Sequence, residues 1–363
     1  MSTIKVLVVD DSRLMRNLLS SIMQKAGDIQ IVGGADNGIE ALDKIRELRP
    51  DVVALDLNMP VMDGLQVLRE AKARNLQAAF LVISSLAKEN AQITLDAISL
   101  GAIDFISKPP QTLNIEQLSD EIISKIRVAY GVLNRPEAPG GPAALREGPP
   151  LPLPAPGAAQ PTAAQPAKAP VRRDHISALA LTIFGGSSGA IQTLRKVIPY
   201  LRSDLTSTIV LVLPLPPFFV SQFAAELARQ ASTPVLEVAE DMTVEMGKVY
   251  ICPGGRTNII LVEEGAKVFF RGIENTTDKI YTPSIDVFME SAAVIYRERC
   301  RGVLISGTGV DGVQGLAAIK TRGGKTYVED VTSAVAKQLP VAAQEAGVAM
   351  ETVDIAGIIR MLK

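Results

Sequence analysis

A single histidine, His175, occurs in the 363 residues, alongside two cysteines and no tryptophan. Six tyrosines and nine phenylalanines are too few to form the aromatic platforms on which single-stranded nucleic acid stacks. Lysine and arginine (37) do not outnumber aspartate and glutamate (39). The formal net charge of -2 therefore supplies no basic surface for phosphates, and protein or small-molecule partners are expected instead of nucleic acid. Cys252 and Cys300 lie far apart with no Cys or His at metal-ligand spacing, which fits reduced structural thiols in a cytosolic core. No apolar run reaches the roughly 18 residues of a membrane span. The most apolar stretch, Ile209 to Val220, contains Pro214, Pro216 and Pro217, as a buried strand running into a loop would. Met1 to Lys5 pass into a strand-like segment without a basic and apolar leader, so a cytoplasmic protein is expected. No internal repeat is present, which excludes solenoids and propellers.

What is present is enough apolar sequence for two cores: 47% of residues are hydrophobic and 21% charged. From about Asn134 to Val171 the chain turns to Pro, Ala and Gly without apolar periodicity, the composition of a semi-rigid, solvated spacer. Docking of its PLPLPAP segment on a proline-binding module is a minor alternative. The expected division is a first domain over 1–131, a linker over 132–176 and a second domain over 177–363. Before the linker, strand-like runs such as IKVLVVD, DVVALDL and AAFLVIS alternate with helical patterns, giving five strands and five helices. Such alternation predicts a parallel sheet covered on both faces, with ligands at the carboxyl ends of its strands. After the linker a longer, Gly-richer α/β series begins with ALALTIFGG, so each domain is expected to be a doubly wound parallel sheet.

The strands of the first domain end in polar residues: Asp10 and Asp11, Asp56, Ser84 and Lys108. Carboxylates gathered at strand ends repel one another, and the reason to collect them is a hard divalent cation with oxygen ligands, Mg2+ above all, to which Asn58 can add its backbone carbonyl. A lysine and a hydroxyl on neighbouring strand ends can meet a transferred phosphoryl group. The pattern describes a phospho-acceptor site.

In the second domain the strand Ala180 to Phe184 leads through GGSSGA into a helical pattern. A Gly-rich strand-to-helix turn can cradle a phosphate on a helix N-terminus, expose a serine nucleophile, or simply let strand and helix approach. A second Gly-rich loop, SGTGVDG, carries Asp311 after another strand, so a serine of the first loop and Asp311 suggest two-thirds of a Ser-His-Asp triad.

These motifs carry a resemblance. Residues Lys5 to Pro109, with VVDDS, LDLNMPVMDG, VISS and FISKP, resemble the receiver domain of two-component signalling, a flavodoxin-like fold. The resemblance implies phosphorylation of Asp56 by a histidine kinase, Mg2+ on Asp10, Asp11, Asp56 and Asn58, phosphoryl contact by Lys108, and a switch pair in Ser84 and Phe105. From about Leu181 onward the chain resembles the catalytic domain of the chemotaxis protein-glutamate methylesterases, a Rossmann-like α/β domain joined in that family to a receiver through a linker. The implied receptor partner is a methyl-accepting chemoreceptor, with Ser187 as nucleophile and Asp311 as orienting aspartate.

The base of that family is a histidine in a Gln-His-Met-Pro-Pro stretch; here the stretch reads Leu213, Pro214, Leu215, Pro216, Pro217. Tyr281, Asn258 and Thr308 also stand where the family commonly has His, His and Met. His175 lies at the linker boundary and reads as a solvated linker residue. Without a base, ester hydrolysis is expected to be very slow, with about 10³ to 10⁴-fold residual acceleration from binding and transition-state stabilisation. The expected protein is a phosphorylation-controlled regulator that binds more than it turns over. The alternatives are a working methylesterase and glutamine deamidase with Tyr281 or a lysine as substitute base, and, with less support, a phosphate-binding module on GGSSGA. The family order also implies that the unphosphorylated receiver covers the Ser187 face.

Overall fold

Val6 to Val9, Val52 to Leu55 and Leu81 to Ile83 are uninterrupted apolar runs and are completely buried. That is the signature of parallel strands covered on both faces. The computed structural model describes residues 3–84, 88–108, 115–133, 180–255, 257–275 and 282–362. The linker, His175 and Tyr281 lie outside the described residues.

The first domain runs β1 (Ile4–Val9), α1 (Arg13–Gln24), β2 (Ile29–Ala35), α2 (Gly38–Leu48), β3 (Val52–Asp56), α3 (Gly64–Ala73), β4 (Ala79–Ser84), α4 (Lys88–Ser99), β5 (Asp104–Ser107) and α5 (Ile115–Leu133). These are the five strands and five helices expected from the sequence. The sheet order is β2-β1-β3-β4-β5, and every pairing is parallel. Helix starts are fixed locally. Ser12 and Asn37 cap α1 and α2, and Asp63 with Gln66 forms a reciprocal capping box on α3.

The second domain contains β6 (Ala180–Gly185), α6 (Ala190–Val197), β7 (Ser207–Val212), α7 (Pro217–Gln230), β8 (Val235–Glu237), β9 (Val249–Ile251), β10 (Thr257–Glu264), β11 (Lys267–Glu274), α8 (Ile285–Tyr296), β12 (Cys300–Leu304), α9 (Val313–Thr321), β13 (Lys325–Glu329), α10 (Gln338–Glu345), β14 (Glu351–Val353) and α11 (Ile355–Leu362). Seven parallel strands form one sheet in the order β14-β13-β12-β6-β7-β9-β8. Chain order reverses at β6, which has β7 on one side and β12 on the other, and such a switch point opens a crevice at the carboxyl ends of the strands. A feature absent from the sequence reading is the antiparallel hairpin of β10 and β11, closed by Gly265 and Ala266, with Gly265 at a positive φ of 65°. Cys252 and Cys300 are buried free thiols, as expected, and burial pushes both above their ordinary range, Cys300 to about 12. Among the described residues, no helix is long and apolar enough to cross a membrane.

The two domains meet through side chains that local patterning does not reveal. Phe105 of β5 stacks on Phe219 of α7, with ring centroids 4.5 Å apart and planes 15° off parallel. Gln192 Nε2 donates to the Ala102 carbonyl at 3.1 Å, and Arg195 Nη2 donates to the Leu95 carbonyl at 3.1 Å. Arg195 is held in place by a bidentate pair with Glu226, both contacts at 2.7 Å. Stacked rings contribute about 1 kcal/mol beyond their burial. Phe219→Ala is expected to loosen the domains and increase the radius of gyration in solution scattering; an unchanged radius would show that the stack does not hold them.

Candidate functional site

At the carboxyl end of the first sheet, Asp10 and Asp11 follow β1 and Asp56 ends β3, the two strands flanking its switch point. One carboxylate oxygen from each of these three residues lies within 4.8 Å of the others. Lys108 Nζ reaches across to Asp56 Oδ2 at 2.7 Å and Asp10 Oδ2 at 2.8 Å. Burial raises the Asp56 pKa, and the Asp10 charge adds to the rise, while Lys108 and the Asn58 amide pull against it. Burial alone would lower the pKa of Lys108, but its bonds to Asp10 and Asp56 outweigh that and raise it. The Asn58 amide meets Asp56 Oδ1 at 3.3 Å, and Ser84 ends β4 in a buried position. The sequence-derived carboxylates, lysine and hydroxyl therefore converge. Phe105 is buried too, but in stacking contact with the second domain.

The second crevice gathers the loops after β6, β7 and β12. Ser187 lies in the turn between β6 and α6, its backbone N–H donating to the Ser306 carbonyl at 3.1 Å. Its Oγ accepts the Thr308 N–H at 2.9 Å and lies 3.4 Å from the Thr308 carbonyl and 3.5 Å from Thr308 Oγ1. Gly307 permits this approach: a Cβ there would stand 3.0 Å from Ser187 Oγ. After β7, the Leu215 N–H returns to the Leu213 carbonyl at 2.8 Å, a three-residue turn whose centre is Pro214. The fixed φ of proline suits that turn, so Pro214 has a backbone role where a base would need an imidazole. Gly254 packs against the Leu215 carbonyl with no room for a Cβ.

Ser187, Pro214, Thr308 and Asp311 line one cavity of about 300 Å³, whose opposite wall is Asp104, Phe105, Glu121 and Lys125 of the first domain. The Lys125 ammonium is bound to the Phe105 carbonyl at 2.6 Å and paired with Glu121 at 3.0 Å and Asp104 at 3.7 Å. Asn258 is linked to this group through Ser284: its Oδ1 accepts the Ser284 N–H at 2.8 Å, and Ser284 Oγ donates to Asp311 at 2.7 Å.

Comparison with known proteins places both halves. The CheB methylesterase family profile matches residues 182–362, and the response regulator receiver domain profile matches 6–120. The protein-glutamate methylesterase/protein-glutamine glutaminase of Treponema denticola is 33% identical over 359 residues, covering 98% of this chain and 96% of its own. The protein of the same name from Pyrococcus horikoshii is 36% identical over 348 residues, covering 95% and 88%. This chain belongs to the CheB methylesterase family. Among solved structures, the catalytic domain of the Thermotoga maritima CheB methylesterase aligns with a TM-score of 0.49 at 29% identity, over 50% of this chain and 96% of its own.

In the methylesterase domain, Asp311 accepts from Ser284 Oγ at 2.7 Å and from the N–H groups of Ile285 and Asp286 at 3.0 and 3.2 Å, so it caps α8. Asp286, in the first turn of α8, returns the arrangement by accepting from Gly312 and Gly315 N–H at 2.8 and 2.7 Å at the start of α9. The sequence reading missed this reciprocal cap, although an aspartate in the first turn of a helix is a recognisable signal. Burial, with repulsion from Asp311, raises the Asp286 carboxyl to about 6.

A raised folded-state pKa stabilises the fold fully below the unfolded value, and that contribution is lost as pH rises through about 6. Asp286→Asn keeps the acceptor oxygen and removes the charge. Its melting temperature is expected to gain on wild type between pH 5 and 7.5, by an amount corresponding to about 1 kcal/mol after solvent screening. A difference independent of pH would contradict the assignment.

Proposed function

We propose that the chain is a cytoplasmic, phosphorylation-controlled response regulator, with a receiver over 1–131, a linker over 132–176 and a methylesterase domain over 177–363. Its esterase chemistry is impaired, and it acts mainly by holding a chemoreceptor segment or another signalling protein at the Ser187 cavity. The observation that carries this reading is Pro214 in the wall of that cavity. A proline has no group to take the Ser187 proton, and the one histidine of the chain is His175, before β6. Ser187 Oγ is bonded to Thr308, and the Asp311 carboxylate is occupied at the start of α8.

In the receiver, Asp56 is the phospho-acceptor for a histidine kinase. Three carboxylates within 4.8 Å offer the hard oxygen ligands that Mg2+ prefers, with the Asn58 carbonyl as a further ligand. When bound, such an ion neutralises charge between carboxylate and phosphoryl oxygens. Lys108 pairs with the arriving phosphoryl group. Ser84 turns its hydroxyl toward the new acceptors, and Phe105 repacks. Because Phe105 stacks on Phe219 and lines the Ser187 cavity, repacking would break the inter-domain stack and open that cavity. This supports cover of the Ser187 face by the unphosphorylated receiver.

The name shared by the relatives favours a second reading, a working hydrolase of methyl esters and glutamine side chains. It needs a substitute base. Lys125 lines the cavity, but as an ammonium with carboxylate and carbonyl partners.

Methanol release from methylated receptor membranes separates the readings. Wild type and Ser187→Ala are expected to give the same rate with or without a phosphodonor, and Pro214→His to raise it by about 10²-fold or more. Loss of turnover in Ser187→Ala alone would establish the hydrolase. Labelling by a phosphodonor is expected to vanish in Asp56→Asn; full labelling of that variant would reject the receiver assignment.

A further inference from the structure

Glu329, the last residue of β13, is completely buried and belongs to neither site described above. Burial raises its pKa, opposed by hydrogen bonds from Ser306, Thr193 and Ser333 and by the charge of Lys196. No cation lies within ion-pair distance of it among the described residues. A buried carboxylate held only by neutral donors is costly, and its placement calls for a reason. Its partners give one. Oε2 accepts the Ser306 N–H at 2.8 Å, Thr193 Oγ1 donates at 3.1 Å to each carboxylate oxygen, and Ser333 Oγ donates to Oε1 at 3.1 Å.

Ser306 is the hinge of the Ser187 site. Its carbonyl accepts the Ser187 N–H at 3.1 Å, while its Oγ donates to the Ser188 carbonyl at 2.8 Å and accepts the Ala336 N–H at 2.7 Å. Two residues on, the Thr308 N–H donates to Ser187 Oγ. Thr193 is on α6, the helix that begins immediately after the Ser187 turn, between Gln192 and Arg195, whose side chains reach the receiver. One carboxylate thus ties the helix behind Ser187 to the loop that presents the Thr308 amide.

We propose that Glu329 is a positioning residue that holds Ser187 Oγ in register with the Thr308 N–H by bonding Thr193 of α6 and the Ser306 amide at once. The role does not depend on esterase turnover, because it concerns the geometry of the serine and its donor. A Gln at this position keeps the volume, but its one acceptor oxygen serves Ser306 and Thr193 without charge to strengthen the bonds, and the amide nitrogen that replaces the other oxygen cannot accept from Ser333.

Amide NMR of the full-length chain tests this. In Glu329→Gln, hydrogen exchange at the Thr308 amide is expected to speed about tenfold, with receiver amides at Val8 and Val9 unchanged. In wild type the Ser306 amide is expected to titrate above the ordinary carboxylate range, and in Glu329→Gln not to titrate. Thr193→Val, which removes a single donor, is expected to give a smaller acceleration at Thr308 and supplies the same readout should Glu329→Gln fail to fold. Unchanged Thr308 exchange in a folded variant, or an equal acceleration across the whole domain, would overturn the proposal.

Discussion

The pairing of β6 with β7 on one side and β12 on the other is the constraint from which the second domain follows. Parallel pairing in this order delivers three loops to one end of the sheet: the Ser187 turn, the Pro214 turn and the Thr308–Asp311 loop. The first domain uses the same rule, with Asp10, Asp11 and Asp56 brought together by β1 and β3. What each crevice can do is then decided by which side chains stand on those loops. In one, three carboxylates and Lys108 form a charged cluster. In the other, Ser187 bonds a backbone amide, and Pro214 fixes a turn.

The interface between the domains joins these crevices. Phe105 is buried in β5, three residues before Lys108, and its ring lies against Phe219. The same β5 segment and α5 provide Asp104, Glu121 and Lys125 to the wall of the Ser187 cavity. A change in packing at Phe105 therefore alters a contact and a cavity wall together. Arg195, bonded at once to Glu226 and to the Leu95 carbonyl, fixes α6 and α7 against α4 on the other side of that contact.

The sequence made the folds and strand-end residues legible because their causes are local. Buried parallel strands are apolar throughout, as in Val6 to Val9, and ligand groups sit where such runs stop, as at Asp56 and Ser84. The absence of an imidazole at Pro214 was equally plain, since one histidine can be in only one place. Other features depend on partners distant in sequence. Asp311 pairs with Ser284 and Ile285 across a helix packing, Phe105 with Phe219 across a linker, and Glu329 with Thr193 across most of the second domain. No periodicity marks such residues, and Glu329 reads as an ordinary polar residue ending a strand until the fold buries it. The hairpin of β10 and β11 did carry a local signal, the turn residue Gly265 between two alternating runs, but it is antiparallel in a series that otherwise reads as parallel.

In the proposed function Ser187 has no general base. The pH dependence of its covalent labelling by a fluorophosphonate measures that directly, because a serine with a histidine partner gains reactivity with a midpoint near neutrality and then levels off. The labelling rate is expected to rise log-linearly with hydroxide across neutral pH, with no plateau. A plateau reached near pH 7, abolished in Ser187→Ala, would contradict that expectation.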